Sequence, residues 1–446
     1  MASNTSTSTS TSINTNTNTD TNTNIKTNMK TTTPDKNTRR KTRQIFKGTF
    51  IHSKSLTELE VRHGMCVFVD EEGVIVGIFG RAGDEGGEGE GEGNDGRKGV
   101  EGFEKYMKEL GWDGDEEGIE YVVFEGASNE RDGERFFFPG FIDTHIHAPQ
   151  YPNSGLFGSS TLLNWLNTYT FPLESSLSSL SKAQPIYSRV IRRTLSHGTT
   201  TAAYYATIHI AATNLLADLC LKFGQRALVG RCCMDSSTGA NPDYYRDANA
   251  AESLEKTRKC VAHCEAIDPG RKLITAILTP RFAPSCTGEL MRWLGELARE
   301  KNLPIQTHIS ENRAEIAWVG ELFPDCEGYA HVYDKYGCLT PRTILAHAVH
   351  ISEEAQLIRE RCGIAHCPVS NSALTSGMAR VRWMLDRGIK VGLGTDVSGG
   401  FSGSVLVAAR EACCVSRCVA AGVGGWGGGE GGGRGREKGK GRREKS

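Results

Sequence analysis

Two histidines, His145 and His147, lie two residues apart at the end of an apolar run that follows Pro139 and Gly140. In an extended strand, side chains two positions apart point to the same face, so both imidazoles can reach one metal ion. The alternative is that one histidine is a satisfied core residue and the other is solvated. The pair predicts a metal site where this strand ends.

Three further polar side chains end apolar runs elsewhere in the chain, namely His308, His347 and Asp396. An aspartate at the tip of an apolar strand is costly unless it is paired or binds a cation, although aspartate is also common in turns. Glu311 follows His308 by three residues, where it either transfers protons beside the metal or favours a helix N-terminus. Four strand ends that each carry His or Asp favour a shared metal site.

Imidazole and carboxylate ligands suit Zn²⁺ and, less often, Fe²⁺. The bound ion would lower the pKa of a water molecule towards neutrality and so provide hydroxide as a nucleophile. No lysine stands at a strand end where it could carry a bridging carbamate. We therefore expect one metal ion per chain rather than two.

Eight short β-rich runs, each followed by a helical stretch, must position these side chains. They occupy residues 136–147, 199–205, 227–234, 273–279, 305–310, 343–347, 363–367 and 390–394. Eight βα units predict an α/β fold, a TIM-like (β/α)8 barrel over residues 135–421. The carboxyl ends of the strands form the active-site face of such a barrel, which is where the candidate ligands fall.

The segments on either side of the predicted barrel differ from it in composition. Residues 1–43 are rich in Ser, Thr and Asn and predict disorder. Residues 44–134 contain three apolar runs that predict the strands of a small β subdomain. A Gly- and Glu-rich insertion at 83–99 interrupts them, and we expect a solvated loop there because it cannot form a core.

Bulk composition excludes several classes of function for the 446 residues. The formal net charge of -1 gives no reason to expect nucleic acid or an anionic membrane as a partner. No apolar run is long enough to span a membrane, and the N-terminus is polar rather than an apolar signal peptide. The 14 cysteines lack regular spacing, so we expect unpaired thiols in a reducing cytoplasm.

Several motifs resemble the guanine deaminase family of the amidohydrolase superfamily, over roughly residues 44 to 410. The motifs include His-Ala-Pro-Gln-Tyr at 147–151, Thr-Pro-Arg-Phe at 279–282, His-Ile-Ser-Glu-Asn at 308–312 and Gly-Leu-Gly-Thr-Asp at 392–396. The His-x-His and Gly-x-Gly-Thr-Asp elements indicate only the superfamily. The first two motifs are more specific to guanine deaminases.

The resemblance implies hydrolysis of guanine to xanthine and ammonia, with one zinc ion held by His145, His147, His308 and Asp396. It assigns catalytic roles to Glu311, His347 and Asp396. Substrate contacts would come from His147, Gln150, Arg281, Phe282, His308, Glu311 and Asp396. The family also suggests a homodimer, and it suggests a β-sandwich in which C-terminal strands join the N-terminal ones.

The chemistry of Arg281 agrees with a purine that carries an exocyclic oxygen. An arginine donates hydrogen bonds but cannot accept them, so it suits O6 of guanine and disfavours an amine at that position. Three alternatives remain open: Arg281 pairs with a nearby carboxylate, Phe282 is ordinary barrel lining, and Gln150 is a solvated loop amide.

After residue 421 the sequence departs from the family and becomes a Gly-rich basic tail, 422–446, for which we expect disorder. The chain therefore looks truncated or altered at its C-terminus, and an artefact of the gene model is favoured over an RNA- or partner-binding extension. Two alternatives to guanine deamination remain. In the first, the chain is another aminohydrolase that acts on a purine-like ring. In the second, it is an inactive homologue that acts only by binding.

Overall fold

A computed structural model describes residues 42–80, 95–113, 118–124, 135–352 and 354–423. Within it the chain forms two compact units, with the division between Phe138 and Pro139. Nearly all of the two segments predicted to be disordered, 1–43 and 422–446, lies outside the described residues.

The first unit is a four-stranded sheet in the order β3-β2-β1-β4. Strand β1 (Arg43–Ser53) pairs antiparallel with β2 (Leu59–Val69) and parallel with β4 (Ile119–Val123). Strand β3 (Ile75–Phe79) pairs antiparallel with β2. Helix α1 (Asp95–Glu109) packs on the buried face, where Phe68 lies among aromatic side chains that include Phe103, Tyr106 and Trp112.

This unit differs in two respects from the sequence prediction. Its described residues form one sheet covered by a helix, whereas the family resemblance suggests a β-sandwich to which C-terminal strands contribute. Helix α1 begins at Asp95, so residues 95–99 of the predicted solvated insertion are helical. The earlier part of that insertion, residues 83–94, lies outside the described residues.

The second unit contains eight parallel strand positions, as the sequence predicts. In chain order they are β5 (Phe141–His147), β6 (Thr199–Tyr205), β7 (Arg226–Gly230) with β8 (Cys232–Cys233), β9 (Ile274–Ala276) with β10 (Thr279–Pro280), β11 (Ile305–Ile309), β12 (Thr343–His347), β13 (Cys362–His366) and β14 (Lys390–Leu393). They form two four-stranded parallel sheets in the orders β5-β6-β7-β9 and β11-β12-β13-β14, and β8 pairs parallel with β10.

Hydrogen bonds join the two sheets along both edges. The backbone N–H of Gln306 donates to the carbonyl of Leu278 at 2.9 Å, which links β11 to the strand before it. On the other side, the N–H of Asp396 donates to the carbonyl of His145 at 2.9 Å, which links the last strand to the first. The eight strands therefore form the predicted TIM-like (β/α)8 barrel.

Helices follow the barrel strands and cover them. Their bounds are α2 (Leu162–Trp165), α3 (Phe171–Ser176), α4 (Leu180–Ser196), α5 (Ile210–Phe223), α6 (Ala250–Ile267), α7 (Gly288–Lys301), α8 (Arg313–Leu322), α9 (Tyr329–Lys335), α10 (Ala355–Arg361), α11 (Pro368–Ala373), α12 (Val381–Asp386) and α13 (Val405–Ala420). The main core lies between strands and helices, because the strands are apolar and the helices turn one apolar face inward. Among the described residues, no helix has the length and apolar character needed to cross a bilayer.

Candidate metal-dependent active site

The predicted site residues converge at the carboxyl ends of the barrel strands. His145 and His147 lie at the end of β5, His308 near the end of β11 and His347 at the end of β12, while Asp396 follows β14. These ends surround a cavity of about 420 Å³, lined by every predicted site residue except His145, which contacts His147 beside it.

Four side chains of the site point their donor atoms at a common centre. The Nε2 atom of His147 lies 3.2 Å from Nε2 of His145 and 3.3 Å from Nε2 of His308. Asp396 Oδ1 lies 3.2 Å from His145 Nε2 and 3.5 Å from His147 Nε2. Two ligand atoms that are each about 2.1 Å from a tetrahedral zinc ion lie roughly 3.4 Å apart, so these separations fit one such ion.

The protonation of the imidazoles also suits a metal. Burial lowers the pKa of His145, and it holds the pKa of His147 and of His308 well below the usual value. The Nδ1 atom of His308 lies 2.6 Å from the carbonyl oxygen of Arg281, so Nδ1–H donates there and Nε2 keeps a lone pair. Neutral imidazoles that face one another with lone pairs repel unless a cation is shared between them. The donor set therefore fits a bound metal.

Asp143 holds the two halves of this donor set together. Its carboxylate accepts hydrogen bonds from the Thr395 hydroxyl at 2.5 Å and from the Thr395 N–H at 3.0 Å. Burial raises the pKa of Asp143 to about 7. Sequence reasoning did not select this residue, although strand alternation places it on the same face as His145 and His147.

The backbone at two of the strand ends is in the left-handed region. His347 has φ 72° and Asp396 has φ 46°, which is uncommon for residues other than glycine. Gly394 permits the close approach before Asp396, since a Cβ there would lie 2.8 Å from the Cβ of His145 and 2.9 Å from the Sγ of Cys367. Such strain is typical of functional sites, where the surrounding fold holds a side chain in a required direction.

Glu311 and His347 form a second pair beside the donor cluster. Their Oε2 and Nε2 atoms lie 3.4 Å apart, and the Ser376 hydroxyl donates to Oε1 of Glu311 at 2.9 Å. Burial raises the pKa of Glu311 to about 7. Burial alone would lower the pKa of His347, but the carboxylates of Glu311 and Asp396 outweigh it and raise that pKa. A carboxyl group that titrates near neutrality can both accept and release a proton.

The carboxylate of Glu311 does not cap helix α8, which follows it. Asn312 caps α8, and Glu315 completes a capping box with it. The carboxylate of Glu315 accepts the backbone N–H of Glu311 at 3.0 Å. The alternative in which Glu311 serves only the helix N-terminus therefore disagrees with the structure.

Gln150, Arg281 and Phe282 also line the cavity, and the hydrogen-bond donors of Gln150 and Arg281 form its donor wall. Arg281 does pair with a carboxylate, as one sequence interpretation allowed. The partner is Glu174, whose oxygens lie 2.6 and 3.1 Å from the two terminal nitrogens of the guanidinium. Gln150 is buried and donates from Nε2 to the same carboxylate at 2.8 Å, so it is not a solvated loop amide.

Apolar side chains form the rest of the cavity lining. Phe282 is buried in this wall, and the other apolar members come from the segment after β5 and from the loop after α11: Leu162, Trp165, Leu166 and Leu374. A cavity whose lining combines apolar side chains, hydrogen-bond donors and a metal-type cluster suits a small ring with polar substituents.

Comparisons with known proteins agree with this geometry. Residues 136–430 match the amidohydrolase family. The chain is 56% identical over 285 residues to a probable guanine deaminase of Schizosaccharomyces pombe, a match that covers 64% of this chain and 54% of that relative. It is 42% identical over 375 residues to a guanine deaminase of Dictyostelium discoideum, which covers 82% of this chain and 76% of that relative.

A solved structure extends the similarity to three dimensions. A crystal structure of guanine deaminase from C. acetobutylicum with bound guanine in the active site matches with a TM-score of 0.71 and 32% identity. The match covers 85% of this chain and 81% of that one. The chain therefore belongs to the amidohydrolase family and, within it, to the guanine deaminases.

Proposed function

We propose that this chain hydrolyses guanine to xanthine and ammonia. One observation carries the proposal: a single cavity joins the cluster of His145, His147, His308 and Asp396 to a wall of hydrogen-bond donors. The reaction needs water activation at one end of a planar ring and recognition of that ring at the other. The lining of the cavity offers both.

The donor cluster would hold one zinc ion, since three imidazoles and a carboxylate are typical zinc ligands and suit Fe²⁺ less often. A bound zinc ion supplies Lewis-acid activation of water at neutral pH. The lowered pKa values of His145, His147 and His308 favour the neutral, ligating form of each imidazole. The left-handed backbone at Asp396 turns its carboxylate towards them.

Glu311 moves the protons in this mechanism. The oxygen of water forms a bond to C2 of guanine, the bond from C2 to the amine breaks, and the two protons of water end on N3 and on the departing amine. Glu311 accepts a proton from the water and delivers it, because its pKa of about 7 permits both steps at neutral pH. His347 keeps Nε2 directed at this exchange because its Nδ1 lies 2.8 Å from Oδ1 of Asn371.

The donor wall binds the other edge of the purine. The guanidinium of Arg281 has five N–H donors, and its pairing with Glu174 leaves donors available for O6 of guanine. Gln150 adds a second donor from the same side, and Phe282 packs on the ring. An amine in place of O6 would face donors with a donor, which disfavours adenine.

Ammonia release by the purified full-length chain tests the proposal. We expect release from guanine that stops when a chelator removes the metal and returns when Zn²⁺ is added. Adenine, a purine of similar size with its amine at C6, is the matched control and should release none. A folded, zinc-loaded chain that releases no ammonia from guanine would contradict the proposed function.

A further inference from the structure

Glu174 lies behind the donor wall and is completely buried. Its Oε1 accepts from Gln150 Nε2 at 2.8 Å and from Arg281 at 3.1 Å. Its Oε2 accepts from Arg281 at 2.6 Å and from the hydroxyl of Tyr245 at 2.8 Å. These four donors come from three segments that are distant in sequence, so one carboxylate connects the whole wall.

The carboxylate of Glu174 has no capacity left for a ligand. A carboxylate offers about four lone-pair sites, and four donors occupy them. Arg281 and Gln150 line the cavity, whereas Glu174 does not. Any effect of Glu174 on a bound purine must therefore pass through these two neighbours.

The contacts of Glu174 fix which atoms of the wall face the cavity. Because Gln150 Nε2 donates to Glu174, its Oε1 turns away and accepts the backbone N–H of Ser398 at 3.3 Å. The amide oxygen is thus directed at a backbone N–H, and the N–H groups of Gln150 and Arg281 that Glu174 leaves unused are the donors available to a ligand. The wall therefore favours a ligand that presents acceptors.

We propose that Glu174 is a positioning residue that sets the preference for purines with an oxygen at C6. Its full charge holds the amide of Gln150 and the guanidinium of Arg281 so that both present donors. A glutamine at 174 would itself carry N–H donors, which would compete for the same partners and let the Gln150 carbonyl turn into the cavity. This inference rests on the proposed function, since it takes guanine as the ligand.

Two purines that lack an amine at C2 measure this preference without turnover. Hypoxanthine carries the oxygen at C6, and unsubstituted purine does not. We expect the full-length protein to bind hypoxanthine more tightly by calorimetry. In Glu174→Gln the ratio of the two dissociation constants should fall by about tenfold, the effect of one misaligned hydrogen bond to a charged group. The KM for guanine should rise by more than kcat falls.

Asp247→Asn is the matched control. Asp247 is a buried carboxylate that pairs with the guanidinium of Arg231 and lies 3.1 Å from Lys256, away from the cavity lining. Its substitution should lower the melting temperature and leave the ratio of dissociation constants unchanged. If Glu174→Gln weakens both purines by the same factor, Glu174 is only structural and the inference is wrong.

Tyr245→Phe keeps the test decisive if Glu174→Gln does not fold. This change removes one donor from Oε2 of Glu174 and leaves the ion pair with Arg281 in place. We expect the ratio to fall by about threefold, and an unchanged ratio would overturn the inference. Binding is measured separately from ammonia release. A wild-type chain that prefers hypoxanthine but does not deaminate guanine would contradict the proposed function and leave the role of Glu174 standing.

Discussion

The donor wall and the metal-type cluster accommodate buried charge in opposite ways. At the donor wall, Glu174 and Arg281 neutralise each other and every lone-pair site of the carboxylate is occupied. At the metal-type cluster, three imidazole nitrogens face one another, Glu311 has a pKa raised to about 7, and Asp396 has left-handed backbone. The buried charges of the wall are balanced by protein groups alone. The metal-type cluster, in contrast, is arranged to bind a cation and to exchange protons.

The largest expected effect is at the metal-type cluster. His147→Ala removes one of the four converging ligands, so we expect metal content to fall. Ammonia release from guanine should fall at least about a thousandfold, because Lewis-acid activation contributes several kcal/mol. Metal analysis and ammonia release measure the two quantities. His263→Ala is the control, since His263 pairs with Asp218 outside the cavity lining and should change neither. Full metal content in His147→Ala would contradict the ligand assignment.

Glu311→Gln separates proton transfer from metal binding at the same cluster. The amide keeps the size of the carboxyl group but cannot exchange a proton, so turnover should fall by about a hundred- to a thousandfold. Metal content should stay near that of the wild type, since Glu311 is not one of the four ligands. Retained turnover in this variant would exclude the role of Glu311 in proton transfer.

The stability of the metal-free protein should depend on pH through Glu311. Burial raises its pKa from 4.5 to about 7, so the folded chain keeps a proton that the unfolded chain releases. The protonated Glu311 contributes fully to the free energy of unfolding below pH 4.5. This contribution, roughly 3 kcal/mol, is lost as the pH rises to 7. Denaturant unfolding in the presence of a chelator measures it. In Glu311→Gln the free energy of unfolding should change less steeply with pH than in the wild type. An equal slope in the two proteins would show that Glu311 is already ionised in the folded chain.

The smallest expected effect is at the donor wall. Arg281→Lys keeps a positive charge opposite Glu174 but loses the planar fork of donors, so the KM for guanine should rise about tenfold with a smaller change in kcat. Arg231→Lys, in a buried ion pair with Asp247, is the matched control and should leave this KM unchanged. If kcat and kcat/KM fall equally in Arg281→Lys, Arg281 contacts the purine only in the transition state, contrary to this prediction.

The barrel could be predicted from the sequence because short β-rich runs alternate with helical stretches, and several of these runs end in a polar residue. The predicted runs 199–205 and 343–347 coincide with β6 and β12. The first unit was harder. Helix α1 contains three glycines, which lower intrinsic helix propensity, and it is held by tertiary packing of Phe103 and Tyr106 on Phe68.

The metal-type cluster could also be predicted, because each of its residues marks a strand end. The residues that orient the side chains lining the cavity could not be predicted. Glu174 and Arg281 lie 107 residues apart, and the hydroxyl of Ser376 reaches Glu311 across 65 residues. Such pairs depend on how distant loops meet above the barrel, and no local pattern of residues encodes that meeting.

The junction of β14 with β5 determines when this site can exist during synthesis. The contact between Asp143 and Thr395 spans 252 residues, and the four converging donors include residues from both sides of it. A nascent chain that has not yet reached residue 390 has its three histidines but lacks the carboxylate and the backbone bonds that close the ring. Loop-closure entropy opposes this last docking step, and a captured ion offsets part of that cost. Metal uptake would therefore mark a finished barrel.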